Sequence, residues 1–201
     1  MFLRNVTILA SSLAAVAAAA PTTAQADEIL GLTGPYAGLE AGLHEHHVFI
    51  EERNILSGQT AGQYYRGWGV GGGAFAGYDL AVSRRIRLGV EAGVSVGGNG
   101  PKPTFADGSF IDATPRWGYR VTGKAGYFLD RRMLAYGTFG YGGHYYRTRS
   151  RGIAGADLSG SSFTVGGGLE YRVSDRVSVR VDFRHLDNHM SSLLIGVPIR
   201  F

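Results

Sequence analysis

The chain has 201 residues, a formal net charge of +4, no cysteine and 32 glycines. Without thiols there are no disulfides, no thiolate nucleophile and no cysteine-ligated metal. That much glycine, without a collagen spacing, argues against a helical protein. Neither a cofactor nor a nucleic-acid partner is expected.

The N-terminus reads as a secretory signal. Arg4 gives the basic start, the run from Val6 to Ala20 carries no charge, and Ala24-Gln25-Ala26 forms an A-x-A cleavage site. The run is shorter than the ~20 residues of a membrane-spanning helix. The expected division is a signal peptide over 1–26, cleaved after Ala26, and one mature domain over 27–201. No other segment could span a bilayer as a helix, so membrane residence would require a closed barrel, the other fold that satisfies every backbone polar group.

Eight alternating segments follow, and a period of two means strands with one apolar and one polar face. The first, 36–45, sets Ala37, Leu39, Ala41 and Leu43 against Gly38, Glu40, Gly42 and His44, with Tyr36 also on the polar side. The second, 67–79, puts Trp68, Val70, Ala74, Ala76 and Tyr78 on one face and mostly glycine on the other. The third, 86–96, sets Ile86, Leu88, Val90, Ala92, Val94 and Val96 against Arg87, Gly89, Glu91, Gly93 and Ser95. The fourth sets Trp117, Tyr119, Val121, Ala125, Tyr127 and Leu129 against Arg116, Arg120, Thr122 and Lys124. The fifth, 133–146, has two competing registers, because Leu134, Tyr136 and Thr138 rival Ala135, Phe139 and Tyr141. The sixth turns Phe163, Val165, Leu169 and Tyr171 away from Glu170 and Arg172; the seventh turns Val177, Val179, Val181 and Phe183 away from Arg180, Asp182 and Arg184. The last sets Leu193, Ile195, Val197, Ile199 and Phe201 against Ser192, Leu194, Gly196, Pro198 and Arg200.

Connections alternate long and short, 45–66, 80–85, 97–115, 130–132, 147–161, 174–176 and then 186–191. Long loops at one end and tight turns at the other are the pattern of an outer-membrane barrel, with both termini on the periplasmic side. With the apolar face outward, Trp68, Trp117, Tyr119, Phe163 and Phe183 form one aromatic belt, and Tyr78, Tyr127, Tyr171 and Phe201 the other. A lipocalin-like soluble barrel would carry its apolar residues inward, whereas here the alternate face is glycine, arginine, glutamate and lysine. The fold class is all-β, an eight-stranded antiparallel up-and-down transmembrane β-barrel.

The stretches FTVGGGLEYRVSDRVSVRVDFRHLD and LLIGVPIRF, with YAGLEAGLH and LAYGTFGYG upstream, resemble the OmpA/OmpX-like β-barrel superfamily, and most closely the small opacity-type outer-membrane proteins of alphaproteobacteria. The resemblance covers the mature chain. It implies a non-enzymatic protein of the outer membrane with a structural or surface-interaction role, touching membrane lipid, lipopolysaccharide or a host surface through its loops. It also implies that Ile195, Val197, Ile199 and Phe201 are read by the barrel-assembly machinery.

The residues leave other readings open. Cations outnumber acids on the polar face, so an open lumen would be a narrow, anion-favouring, porin-like channel; a closed one would be a salt-bridged plug. The glycine runs 71–73 and 166–168 lie within strands and relieve crowding rather than cradle phosphate. His189-Met190-Ser191 has the His-x-Ser spacing of lipid A-modifying barrel deacylases, but no acid follows it. Arg147, Arg149 and Arg151 suit lipopolysaccharide phosphate. His44 and His46, ~7 Å apart on one strand face, could hold Zn²⁺ or Cu²⁺ with His185 or His189 from the last loop. Deleting Phe201 should reduce outer-membrane insertion in cells while export and signal cleavage continue; unchanged insertion would remove the terminal residue from the assembly signal.

Overall fold

The computed structural model describes residues 33–53, 60–100, 110–151, 158–187 and 190–201. Ala24, Ala26 and His189 lie outside them. Eight strands follow in chain order: β1 Gly34–Arg53, β2 Thr60–Ala81, β3 Ile86–Gly97, β4 Phe110–Phe128, β5 Met133–Arg151, β6 Leu158–Arg172, β7 Ser178–Leu186 and β8 Met190–Arg200. Each pairs antiparallel with its neighbours, and β1 closes the barrel on β8 from Tyr36↔Arg200 to His46↔Met190. This is the expected meander. Closure leaves no free edge, so the ladder satisfies the backbone that a bilayer could not.

The short turns share one local device. Ser83 Oγ accepts from the Arg85 and Ile86 amides at 3.3 and 3.1 Å, Asp130 Oδ1 accepts from the Arg132 and Met133 amides at 2.6 and 2.8 Å, and Ser174 Oγ accepts from the Val177 amide at 3.1 Å. In sequence these are Ser-Arg-Arg-Ile, Asp-Arg-Arg-Met and Ser-Asp-Arg-Val: a capping side chain, two polar residues, then an apolar residue at or just before the start of the next strand. The two amides at Asp130 hold its carboxyl below the usual carboxylate range.

At the other end the strands are uneven. β1 and β2 run to Arg53 and Thr60, and β4 and β5 to Phe110 and Arg151, well past the reach of the apolar alternation. β3 stops at Gly97, where Gly97 and Gly98 take φ of +93° and +90°, a backbone conformation glycine adopts without Cβ strain. The extensions were not legible as strands because alternation marks only the zone where one face meets lipid. Above it the pattern lapses while the pairing continues.

The apolar face points outward as expected: Leu39, Val70, Val90, Val121, Phe139, Val165, Val181 and Ile195 are all exposed on the barrel wall. The two registers competing in β5 resolve in favour of Leu134 and Tyr136 inside, with Phe139 and Tyr141 outside. Arginine at Val165, Leu169 or Ile195 should lower unfolding stability in bilayers by about 2–4 kcal/mol near the midplane and by less toward either belt. Arginine at the inward Thr138 should show no such depth dependence. Equal sensitivity on both faces would refute the assigned orientation.

Candidate functional site: the barrel interior

Inward positions of all eight strands meet in a lumen packed with charge. In its central layer Glu40 of β1 accepts from Arg120 Nη1 of β4 at 2.9 Å, from Arg184 Nη1 and Nη2 of β7 at 2.8 and 2.9 Å, and from Arg180 Nη2 at 3.1 Å. Glu91 of β3 accepts from Arg120 Nη2 at 2.6 Å and from Arg180 Nη1 and Nη2 at 2.5 and 3.1 Å. Asp182 pairs with Arg184 at 3.0 Å and accepts a further hydrogen bond from the Tyr136 hydroxyl. The Arg180 guanidinium also lies 3.7 Å over the centroid of the Phe75 ring.

A second layer lies toward the turn end. Asp79 pairs with Lys124 Nζ at 2.9 Å and with Arg200 Nη1 at 3.1 Å, and Arg200 Nη2 donates to Glu170 at 2.8 Å. Tyr36 joins the two layers: its hydroxyl donates to Glu91 at 3.0 Å and accepts from Lys124 Nζ at 3.3 Å. Below it, Phe128, Leu134 and Tyr136 form a small apolar cluster beside Ala81, and Arg87 reaches Thr33 Oγ1 at 3.2 Å. The inward position of Tyr36, out of keeping with the aromatic belts, is explained by this bridging role.

Glycine makes room for these side chains. A Cβ at Gly93 would stand 2.3 Å from the Arg120 guanidinium, and one at Gly38 would stand 2.4 Å from the Phe75 ring. The same holds in the two glycine runs, where a Cβ at Gly71 would meet the His44 ring and one at Gly168 the Tyr136 hydroxyl.

Several sequence expectations shift. Arg116 is not in the lumen: the β4–β5 register slips between Pro115 and Trp117, and Arg116 is exposed. Arg172 sits half-buried at the turn-side rim, donating to the Arg131 carbonyl at 3.0 Å. Asp79, read only as a strand end, is fully buried and adds an acid. The cation excess behind an anion-selective channel therefore largely disappears. Phe75 was hidden in a run read as glycine, and its inward turn is what puts an aromatic under Arg180.

The histidines form a third layer at the wide mouth. His44 Nδ1 bonds Ser192 Oγ at 2.8 Å, and His46 Nδ1 bonds the Tyr146 hydroxyl at 3.0 Å. His144 of β5, rather than His185, packs on His46 at 5.5 Å between ring centroids. The rings lie against the wall: His44 Nε2 is 2.7 Å from where a Gly71 Cβ would stand, and His46 Nε2 is 2.4 Å from the same point at Gly98. Among the described residues no three His, Asp or Glu side chains converge on a metal position. His185 faces outward, with Nδ1 on Ser191 Oγ at 3.0 Å, and among the described residues no carboxylate accepts from it.

The C-terminal positions line up on the outer wall. Ile195 pairs with Val181 and Ala41, Val197 with Leu39, Ile199 with Ala37, and the Phe201 amide donates to the Pro35 carbonyl at 3.2 Å. Arg147 is exposed opposite Thr114, and Arg149 and Arg151 pair with Asp112 and Phe110.

The sequence matches the family model of the outer membrane protein beta-barrel domain over residues 8–196. No curated protein matches it. Among solved structures it is similar to Ail, the attachment invasion locus protein of Yersinia pestis, in complex with the heparin analogue sucrose octasulfate (15% identity, 84% of this chain and 99% of that one, TM-score 0.46). It is similar also to Neisserial surface protein A (17% identity, 84% and 98%, TM-score 0.48) and to the N-terminal β-barrel domain of Pseudomonas aeruginosa OprF (12% identity, 83% and 97%, TM-score 0.43).

Proposed function

Because the chain belongs to the outer membrane protein beta-barrel domain family, and so to the outer membrane, we propose that it is a non-enzymatic barrel with a plugged lumen, acting at its outer surface in envelope integrity and surface contact. The observation that carries this reading is the central layer of Glu40, Glu91, Asp182, Arg120, Arg180 and Arg184. These side chains come from four strands and satisfy one another across the lumen. An unpaired ion there would cost several kcal/mol, so separating these groups to admit a solute is expensive.

The remaining assignments follow from the same placement. The three capped turns lie at the end that holds Gly34 and Phe201, which supports a periplasmic turn end with the tall strands facing outward. Residues 1–26 serve export and are cut after Ala26. Ile195, Val197, Ile199 and Phe201 form the stripe offered to the barrel-assembly machinery. Arg147, Arg149 and Arg151 at the outer end of β5 meet anionic groups of lipopolysaccharide or of a host surface. The Zn²⁺ or Cu²⁺ site weighed at His44, His46 and His189 forms no part of this reading, because the His44 and His46 imidazoles turn toward the wall.

Single-channel recording of the refolded barrel in planar bilayers separates this reading from the porin-like one. The plug predicts no sustained conductance in the unaltered protein. A stable, anion-selective conductance would replace the structural role with a channel.

A further inference from the structure

The slip between Pro115 and Trp117 has a consequence outside the lumen. Thr114 pairs with Arg147, Pro115 with Tyr146 and Trp117 with Tyr145, which leaves Arg116 as an extra residue with no cross-strand partner. Proline brings no N–H to the ladder, so a bulge beside it is physically natural. Bulges re-aim side chains. Strict alternation from Trp117 would turn Arg116 into the lumen, whereas the bulge exposes it on the outer wall, near the exposed Arg147.

The two guanidiniums contrast with those inside. Arg120, Arg180, Arg184 and Arg200 each hold carboxylates, whereas Arg116 and Arg147 have no ion-pair partner among the described residues. Just below them lies an aromatic pad. Trp117 stacks on Tyr145 at 4.5 Å and 21°, and Tyr119 sits 6.2 and 6.5 Å from the two rings. Trp and Tyr of this kind lie at headgroup depth, with the apolar part of the ring toward the acyl region. Arginines one residue from Trp117 and two from Tyr145 on the loop side of such a pad match a molecule with phosphate at the top and an apolar body beneath, since arginine binds phosphate through paired N–H donors.

We propose that Arg116, Arg147, Trp117 and Tyr145 form a lateral binding site for the phosphorylated headgroup of an outer-leaflet lipid. The proposal rests on the outer-membrane placement and on the outward-facing end of β5 argued above. It moves the contact from the far end of β5 down to the barrel wall and makes the bulge the feature that builds it.

The chain has two tryptophans, so Trp68→Phe leaves Trp117 as the sole indole reporter. In that background the barrel is placed in phosphatidylcholine nanodiscs doped with bisphosphorylated lipid A or with the same lipid stripped of phosphate, and Trp117 emission is followed. The site predicts a saturable change with the phosphorylated lipid, weaker by roughly 30-fold for the stripped lipid and for an Arg116→Ala/Arg147→Ala variant. Both arginines are exposed, and unchanged thermal unfolding of the variant would confirm an intact barrel. Inorganic phosphate alone should not reproduce the signal; if it did, the site would take free phosphate and the lipid assignment would fall. If the double variant kept its preference while Arg149→Ala/Arg151→Ala lost it, the far end of β5 would be the contact and this site would fall alone. Indifference of the unaltered barrel to lipid phosphate would overturn both.

Discussion

An eight-stranded barrel encloses little more than the side chains that fill it. A charge turned inward must therefore meet its counter-charge across the lumen or remain buried alone. Here that constraint is met by convergence rather than by isolated pairs. Glu40 on β1 is held by guanidiniums from β4 and β7, Glu91 on β3 by the same two strands, and Asp79 on β2 by Lys124 of β4 and Arg200 of β8. Each carboxylate also reaches at least one strand that is not its neighbour in the ladder. Because side chains alternate faces, a one-residue slip of any of these strands would send its charge into lipid and leave its partners unpaired. The interior thus specifies register as well as closing the lumen.

The rest of the barrel accommodates that filling. Inward glycines such as Gly38 and Gly93 yield space to Phe75 and Arg120, while the outward face keeps the aliphatic and aromatic residues a bilayer requires. At the turn end, Ser83, Asp130 and Ser174 close tight connections with their own side chains. At the opposite end the hairpins rise unevenly, and the β4–β5 pair breaks register to bring one arginine out of the lumen. The same residue type is structural where carboxylates surround it and available for recognition where they do not.

The barrel itself was legible from alternation, since lipid on one face and packed charge on the other impose a period of two. The alternating segments, the outward orientation and most of the lumen charges could be assigned residue by residue. Legibility failed where that period stops reporting position. Arg116 sits beside a proline bulge that alternation cannot register, and Phe75 is the one large residue in an otherwise small inward face. Asp79 was taken for a strand end because the acid falls just before a turn. In β5 both faces carry aromatics, so only the partner strands decide which turns inward. The identity of ion partners was not legible at all, because Glu40 and Arg184 are distant in sequence and meet only on closure.

A double-mutant cycle on Glu91 and Arg180, read by reversible unfolding in bilayers, tests most directly whether the central ion layer holds the barrel together. Arg180→Met and Glu91→Leu should each destabilise by about 3–5 kcal/mol, because each leaves buried charge uncompensated. The double replacement should cost far less than the sum, since apolar side chains of similar size leave neither charge behind. Single effects below ~1 kcal/mol that simply add would contradict the account, since they would mean that these buried ions neither depend on one another nor constrain the fold.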